Sequence, residues 1–153
     1  KRKIIAFKPS IDERYSKTKI STHSGASMPA MTVTNGQEIL DFVEEFNEYD
    51  VVAVDEAFMI PGIAVALIDL FKKSKTIVVS SLDLSATGKP FEEMQSMFPW
   101  ATHIEKCPSV CTVCGHDAYY THKKVKDIAE ITVGGAELYE PRCWKHHSYF
   151  NEI

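Results

Sequence analysis

The sequence predicts an α/β domain built on a parallel sheet, followed by a small zinc-ribbon lobe. Short, continuous apolar runs alternate with stretches of helical periodicity as far as Ala101. A C-x2-C pair, Cys111 and Cys114, is matched by a C-x2-H pair, Cys143 and His146. From Cys107 onward the long periodic segments give way to short ones punctuated by glycine. Continuous apolar runs are how strands buried on both faces read, and strand–helix alternation is the pattern of a parallel sheet with crossover helices.

The elements follow in order. Residues 4–7 are apolar and end at Lys8 and Pro9, a natural strand end. Residues 10–34 are polar, with Gly25 and Pro29, and predict a long loop. Across 37–49, Ile39, Leu40, Phe42, Val43 and Phe46 recur at helical spacing with acids between them. Residues 51–54 form a short buried strand, 62–73 a second amphipathic helix and 76–82 a third buried strand. A short helix at 91–98 and a strand at 101–105 complete the core. The predicted organisation is therefore an α/β core over 1–106 and a zinc-binding lobe over 107–153. The chain opens at Lys1, two residues before its first strand and without an initiator methionine, which reads as a fragment whose N-terminus lies upstream.

The four C-terminal ligands have the spacing of a Cys3His zinc site. Two residues between ligands let each pair fold back as a knuckle, and thiolate and imidazole are donors that zinc prefers. Gly115 suits the tight turn after Cys114. Four protein ligands would fill a tetrahedral ion, so the site is expected to be structural. The rival reading is a set of buried cysteines with a surface histidine. His147 competes with His146 for the fourth position, and Cys107 reads as an ordinary buried thiol.

Composition sets outer bounds. The formal net charge of −4 argues against a protein that binds nucleic acid by charge alone. No apolar run approaches the length of a membrane span. Cysteines in metal-ligand spacing point to a reducing cytoplasm.

A second feature lies at the end of the middle strand, where 51–54 run into Asp55 and Glu56. Open α/β sheets bind ligands at the carboxyl ends of their strands. In phosphoryl-transfer folds an acid there binds Mg2+, which leaves a neighbouring glutamate available as a base. The G-x-x-x-x-G-K-[ST] loop that should cradle phosphates after the first strand of such a domain does not occur in this sequence. Either the chain binds no nucleotide or that loop precedes Lys1.

Taken together, these residues resemble the type II, zinc-containing thymidine kinases over nearly the whole chain. The segment from Phe7 through Lys8, Pro9, Ile11, Asp12, Arg14 and Tyr15 is similar to the family's F-K-P-x-I-D-x-R-Y stretch. His23 and Gly25 resemble its S-H-x-G, Asp55 and Glu56 its D-E pair, and Leu82 and Asp83 with Pro90 and Phe91 its L-D…P-F segment. Both zinc pairs match, as does the run from Val133 through Gly134 and Gly135 to Tyr139. Ala57, Phe58, Met59 and Ile60 depart from the usual glutamine and two phenylalanines, and Ala86 stands where a phenylalanine is common. Both departures bear on the nucleoside pocket.

The resemblance implies a P-loop-kinase-like sheet, without its P-loop strand in this chain, and a zinc lobe that serves as a lasso over the base. It implies transfer of the ATP γ-phosphate to thymidine, with structural zinc and with Mg2+ accompanying ATP. Glu56 would be the catalytic base and Asp55 would lie on the Mg-ATP side. Met59, Leu82 and Phe91 would supply apolar walls, with packing in the core as a serious rival reading for them. Thr121, Thr132, Val133, Gly134, Gly135 and Tyr139 would line the base site, with Tyr139 alternatively a hairpin prop. Arg14 is a candidate for a phosphate contact or a salt bridge. The resemblance also implies a cytoplasmic homo-oligomer, a tetramer, without nucleic-acid or membrane partners. Two other classes remain open: a non-catalytic zinc-ribbon module holding a nucleotide or a partner, and a nucleic-acid-binding zinc domain using Lys123, Lys124 and Lys126.

Overall fold

The structure is a computed structural model that describes residues 1–11, 18–21, 24–125 and 131–147. Asp12, Arg14, Tyr15, His23 and Lys126 lie outside the described residues. In chain order the elements are β1 (Ile4–Pro9), β2 (Lys19–Ser21), β3 (Ser27–Pro29), β4 (Met31–Val33), α1 (Gly36–Glu45), β5 (Val51–Val54), α2 (Ile63–Lys72), β6 (Thr76–Val79) and α3 (Glu92–Met97). Four short strands follow: β7 (Ser109–Val110), β8 (Asp117–Ala118), β9 (Tyr120–Lys123) and β10 (Tyr139–Arg142). The chain divides into two compact units, Lys1–Leu82 with Glu92–Trp100, and Asp83–Phe91 with the described residues from Ala101 on.

The first unit is a four-stranded sheet in the order β4-β1-β5-β6, parallel throughout. The helical periodicity buries Ile39 and Val43 of α1, and Ile63, Ala64, Ala66, Leu67 and Leu70 of α2. Phe7 of β1 meets Phe42 edge-on, with ring centroids 5.8 Å apart. The two helices close in where α1 begins. A side chain on Gly36 would place its Cβ 2.2 Å from the Gly62 carbonyl oxygen, so only glycine allows this approach.

Each helix start is satisfied differently. Asn35 caps α1 by accepting the Glu38 N–H, while Glu38 reaches back to accept the Thr34 N–H at 2.9 Å and its hydroxyl at 2.6 Å. That reciprocal arrangement is a capping box shifted by one residue. Helix α2 has no side-chain cap of its own. Glu93 of α3 supplies one, accepting the N–H groups of Gly62 (2.7 Å) and Ala64 (2.8 Å).

The structure corrects three expectations for this core. The polar stretch expected as loop contains the β2–β3 hairpin and β4, which pairs in parallel with β1. Each of these strands is three residues long, too short for an alternation to stand out. Residues 101–105 form no strand: they carry one large apolar side chain, Ile104, and are exposed. Strand β6 is shorter than expected and not buried on both faces. It lies at one end of the described sheet, and Val78 is 54 % exposed.

The second unit is built from antiparallel pairs, β7 with β8 and β9 with β10. Its 83–91 segment turns on the buried Ser85, whose N–H donates to the Lys89 carbonyl at 2.8 Å. No helix among the described residues is long and apolar enough to cross a membrane.

Candidate functional site

The metal-ligand pairs converge as their spacing predicts. Ligand atoms of Cys111, Cys114, Cys143 and His146 all lie within 4.8 Å of one another. Cys111 and Cys114 stand in the turn between β7 and β8; Cys143 follows β10 and His146 closes a 3-10 turn, Trp144–His146. Gly115 ends the first knuckle at φ +74°, its N–H donating to the Cys111 carbonyl at 2.9 Å. The knuckles are tied together by the Thr112 N–H, which donates to the Pro141 carbonyl at 3.2 Å, and by Arg142, which pairs with Glu140 and donates to the His146 carbonyl at 2.9 Å.

This donor set fits zinc. Cys114 Sγ and Cys143 Sγ are 3.7 Å apart, close to the edge of about 3.8 Å for a tetrahedron with Zn–S near 2.3 Å. His146 presents Nδ1 to Cys143 Sγ at 3.1 Å. Burial pushes the Cys111 thiol up, but the N–H groups of Cys143, Val113 and Cys114 and the Cys114 thiol outweigh it and bring it down to about 6. At Cys114 the His116 N–H lowers the thiol, yet burial and the Cys111 and Cys143 sulfurs hold it above its ordinary value. Clustered sulfurs of which one ionises readily and the next resists are what a single bound dication would relieve.

The two neighbouring histidines stand in different places. His147 is buried, and its Nε2 donates to the Thr121 carbonyl at 2.7 Å. Its ring packs edge-on against Tyr120 and His122, so His146 completes the cluster. Cys107, expected to be buried, is exposed. It sits in the exposed stretch before β7.

In the first unit, Asp55 and Glu56 stand at the carboxyl end of β5. The Asp55 N–H continues the ladder to the Phe7 carbonyl at 2.9 Å. Glu56 then departs from the strand with φ 51° and ψ 43°, a left-handed conformation that costs a non-glycine residue on the order of 1–3 kcal/mol. The turn beyond it, Ala57–Met59, is held by the end of β6. The Ala57 N–H donates to the Ser80 carbonyl at 3.2 Å and the Phe58 N–H to Ser81 Oγ at 3.0 Å. Ser81 Oγ itself donates to the Leu82 carbonyl at 2.9 Å, which fixes its lone pairs toward Phe58. Met59 is buried in this unit and Leu82 is 42 % exposed.

The remaining candidates lie in the second unit. Thr121 is on β9, its carbonyl taken by His147. Tyr139 starts β10 and donates its hydroxyl to the Thr132 carbonyl at 2.7 Å, while Lys123 donates to Thr132 Oγ1 at 2.8 Å. The Gly135 carbonyl accepts the N–H groups of Leu138 and Tyr139, both at 3.0 Å. The 132–139 stretch is thus a turn anchored at both ends, with Val133 exposed, Gly134 against Leu138 and Tyr139 as its prop. Phe91 is half-buried, its N–H donating to the Asp83 carbonyl at 3.1 Å. Sequence reasoning missed Ser81 and Glu93, whose partners are 23 and 31 residues away along the chain.

Strand-end acids on a parallel α/β core, together with a Cys3His lobe, fit a zinc-carrying enzyme that handles nucleotides. The family model for thymidine kinase matches residues 1–147. The chain belongs to the thymidine kinase family, a family of kinases that act on thymidine and ATP.

Proposed function

We propose that this protein transfers the γ-phosphate of ATP to the 5′-hydroxyl of thymidine, giving thymidine monophosphate, with Glu56 as general base. The observation that carries the reading is the clamped left-handed backbone at Glu56. Strain of this kind persists only where its surroundings over-determine it, and it concentrates at functional sites. A carboxylate so placed can orient a hydroxyl, accept its proton as the O–P bond forms, and leave ADP as the departing group. Asp55, half-buried one residue earlier, is the group that would hold the Mg2+ accompanying ATP. Held there, it would offset charge on the phosphates.

In the second unit, the anchored 132–139 turn and Thr121 would offer backbone groups to the thymine edge. The Cys3His site would hold structural zinc, since no ligand position is left for substrate. The family resemblance supports a cytoplasmic homo-oligomer. Glu56→Gln in the full-length protein keeps size and reach but removes the base, so kcat should fall about 10²–10⁴-fold. Thymidine affinity, measured separately, should change little. Steady-state turnover within about threefold of wild type would end the general-base assignment.

A further inference from the structure

Lys8 is unusual for its burial. It lies at the carboxyl end of β1 and is only 5 % exposed, as deeply placed as core aliphatics. Among the described residues, no carboxylate, carbonyl or aromatic ring partners its side chain. That burial encloses the aliphatic stem; Nζ is not among the buried side-chain atoms that lack a partner.

The sheet register shows what stands beside it. Phe7 pairs with Val54, and the Asp55 N–H donates to the Phe7 carbonyl, so the next step of the ladder sets Lys8 opposite Asp55. On its other side Lys8 pairs with Thr32. Beyond Asp55 the Ser80 N–H donates to the Val54 carbonyl at 2.9 Å, which extends the row to the end of β6. Residues in parallel register share a face of the sheet. Thr32, Lys8, Asp55 and Ser80 therefore form a polar row along the carboxyl edge of the four strands, where α/β folds take their ligands. No ion pair joins Lys8 to Asp55. The cation is beside the acid and not spent on it.

We propose that Lys8 is a phosphate-binding residue whose ammonium takes an oxygen of the nucleotide's polyphosphate chain. The inference rests on the kinase reading above and adds a ligand to it. An ammonium suits this task as a compact point charge with three donors. A purely structural Lys8, serving as counter-charge to Asp55, makes opposite predictions about stability.

Lys8→Met and Lys8→Arg separate the two. Full-length protein is titrated calorimetrically with inorganic tripolyphosphate in the presence of Mg2+, thymidine affinity is measured in parallel, and melting is followed without ligand. Lys8→Met should weaken tripolyphosphate binding at least about tenfold and leave thymidine affinity within about twofold. Its ligand-free melting temperature should hold, because methionine keeps the buried stem and no ion pair to Asp55 is lost. Lys8→Arg should retain part of the anion affinity. Three results would overturn the proposal: tripolyphosphate affinity unchanged in Lys8→Met, no detectable tripolyphosphate binding by the wild type, or a lower ligand-free melting temperature with equal losses for both ligands. A wild type that binds tripolyphosphate through Lys8 but leaves thymidine unphosphorylated refutes the kinase reading instead.

Discussion

The α/β unit and the Cys/His lobe are held together by different physics. In the first, Phe7, Ile39, Val43, Val52, Ile60, Ile63, Leu67 and Leu70 are each exposed by 2 % or less. Burying a side chain of this size contributes about 1.5–3 kcal/mol, so the sheet and helices carry their own stabilisation. Among the described residues from Ala101 on, only Cys111, Ala118 and His147 are buried, and Val110 (61 %), Val113 (52 %) and Trp144 (55 %) stand largely in solvent. In a lobe with so little interior, a metal held by the four clustered ligand atoms would supply what the other unit gets from apolar area. The lobe's two-residue strands, β7 and β8, could not persist on propensity alone.

The largest effect should come from taking the metal away. A structural zinc site contributes on the order of 10 kcal/mol to folding its small domain. Cys143→Ser should lose zinc by metal analysis, and amide-exchange protection of β9 and β10 should collapse while β1 and β5 stay protected. Protection surviving in β9 and β10 without metal would mean that the lobe has a core of its own, and the contrast would dissolve.

A cavity in the first unit is the converse test. Leu67→Ala removes a fully buried side chain from α2 and should cost about 2–5 kcal/mol. Zinc content should stay at the wild-type ratio. Loss of zinc in this variant, with the first unit still folded, would show that the units do not stand independently.

The same division explains what could be read in advance. Strand β5 and helix α1 were legible because burial on both faces, or on one helical stripe, writes a period into the sequence. The metal cluster was legible because knuckle geometry demands close ligand spacing, although spacing could not separate His146 from His147. That decision fell to a tertiary contact, the bond from His147 to the Thr121 carbonyl. The clamp of Ser81 on Phe58 and the cap of Glu93 on α2 leave no local signature, since each joins elements far apart in the chain. Strand β4 was hidden for a different reason: Met31 and Val33 alternate over too few residues for a period to show. The depth of Lys8 was equally invisible, because a lysine before a proline at a strand end reads as a solvated terminus.

The smallest effect concerns how the first unit responds to acid. Glu38 closes the capping box at the start of α1, and hydrogen bonds from the Thr34 hydroxyl and N–H hold its carboxyl below the usual carboxylate range. A folded-state pKa below the unfolded value means that the ionised form favours folding. The contribution is present above the unfolded carboxylate pKa and is lost as pH falls through the lower, folded one. Glu38→Gln keeps an acceptor for Thr34 but has no charge to lose, so it isolates this term. At pH 7 the variant's α1 amides should exchange somewhat faster than wild type, by the equivalent of about 0.5 kcal/mol for a charge at an exposed helix N-terminus. As pH falls through the lowered folded-state value of Glu38, the two proteins should converge in exchange rate after correction for intrinsic rates. A gap that stayed constant across the whole acid titration would assign the effect to hydrogen-bond geometry instead of charge. In that case the start of α1 would owe nothing to the ionisation of Glu38.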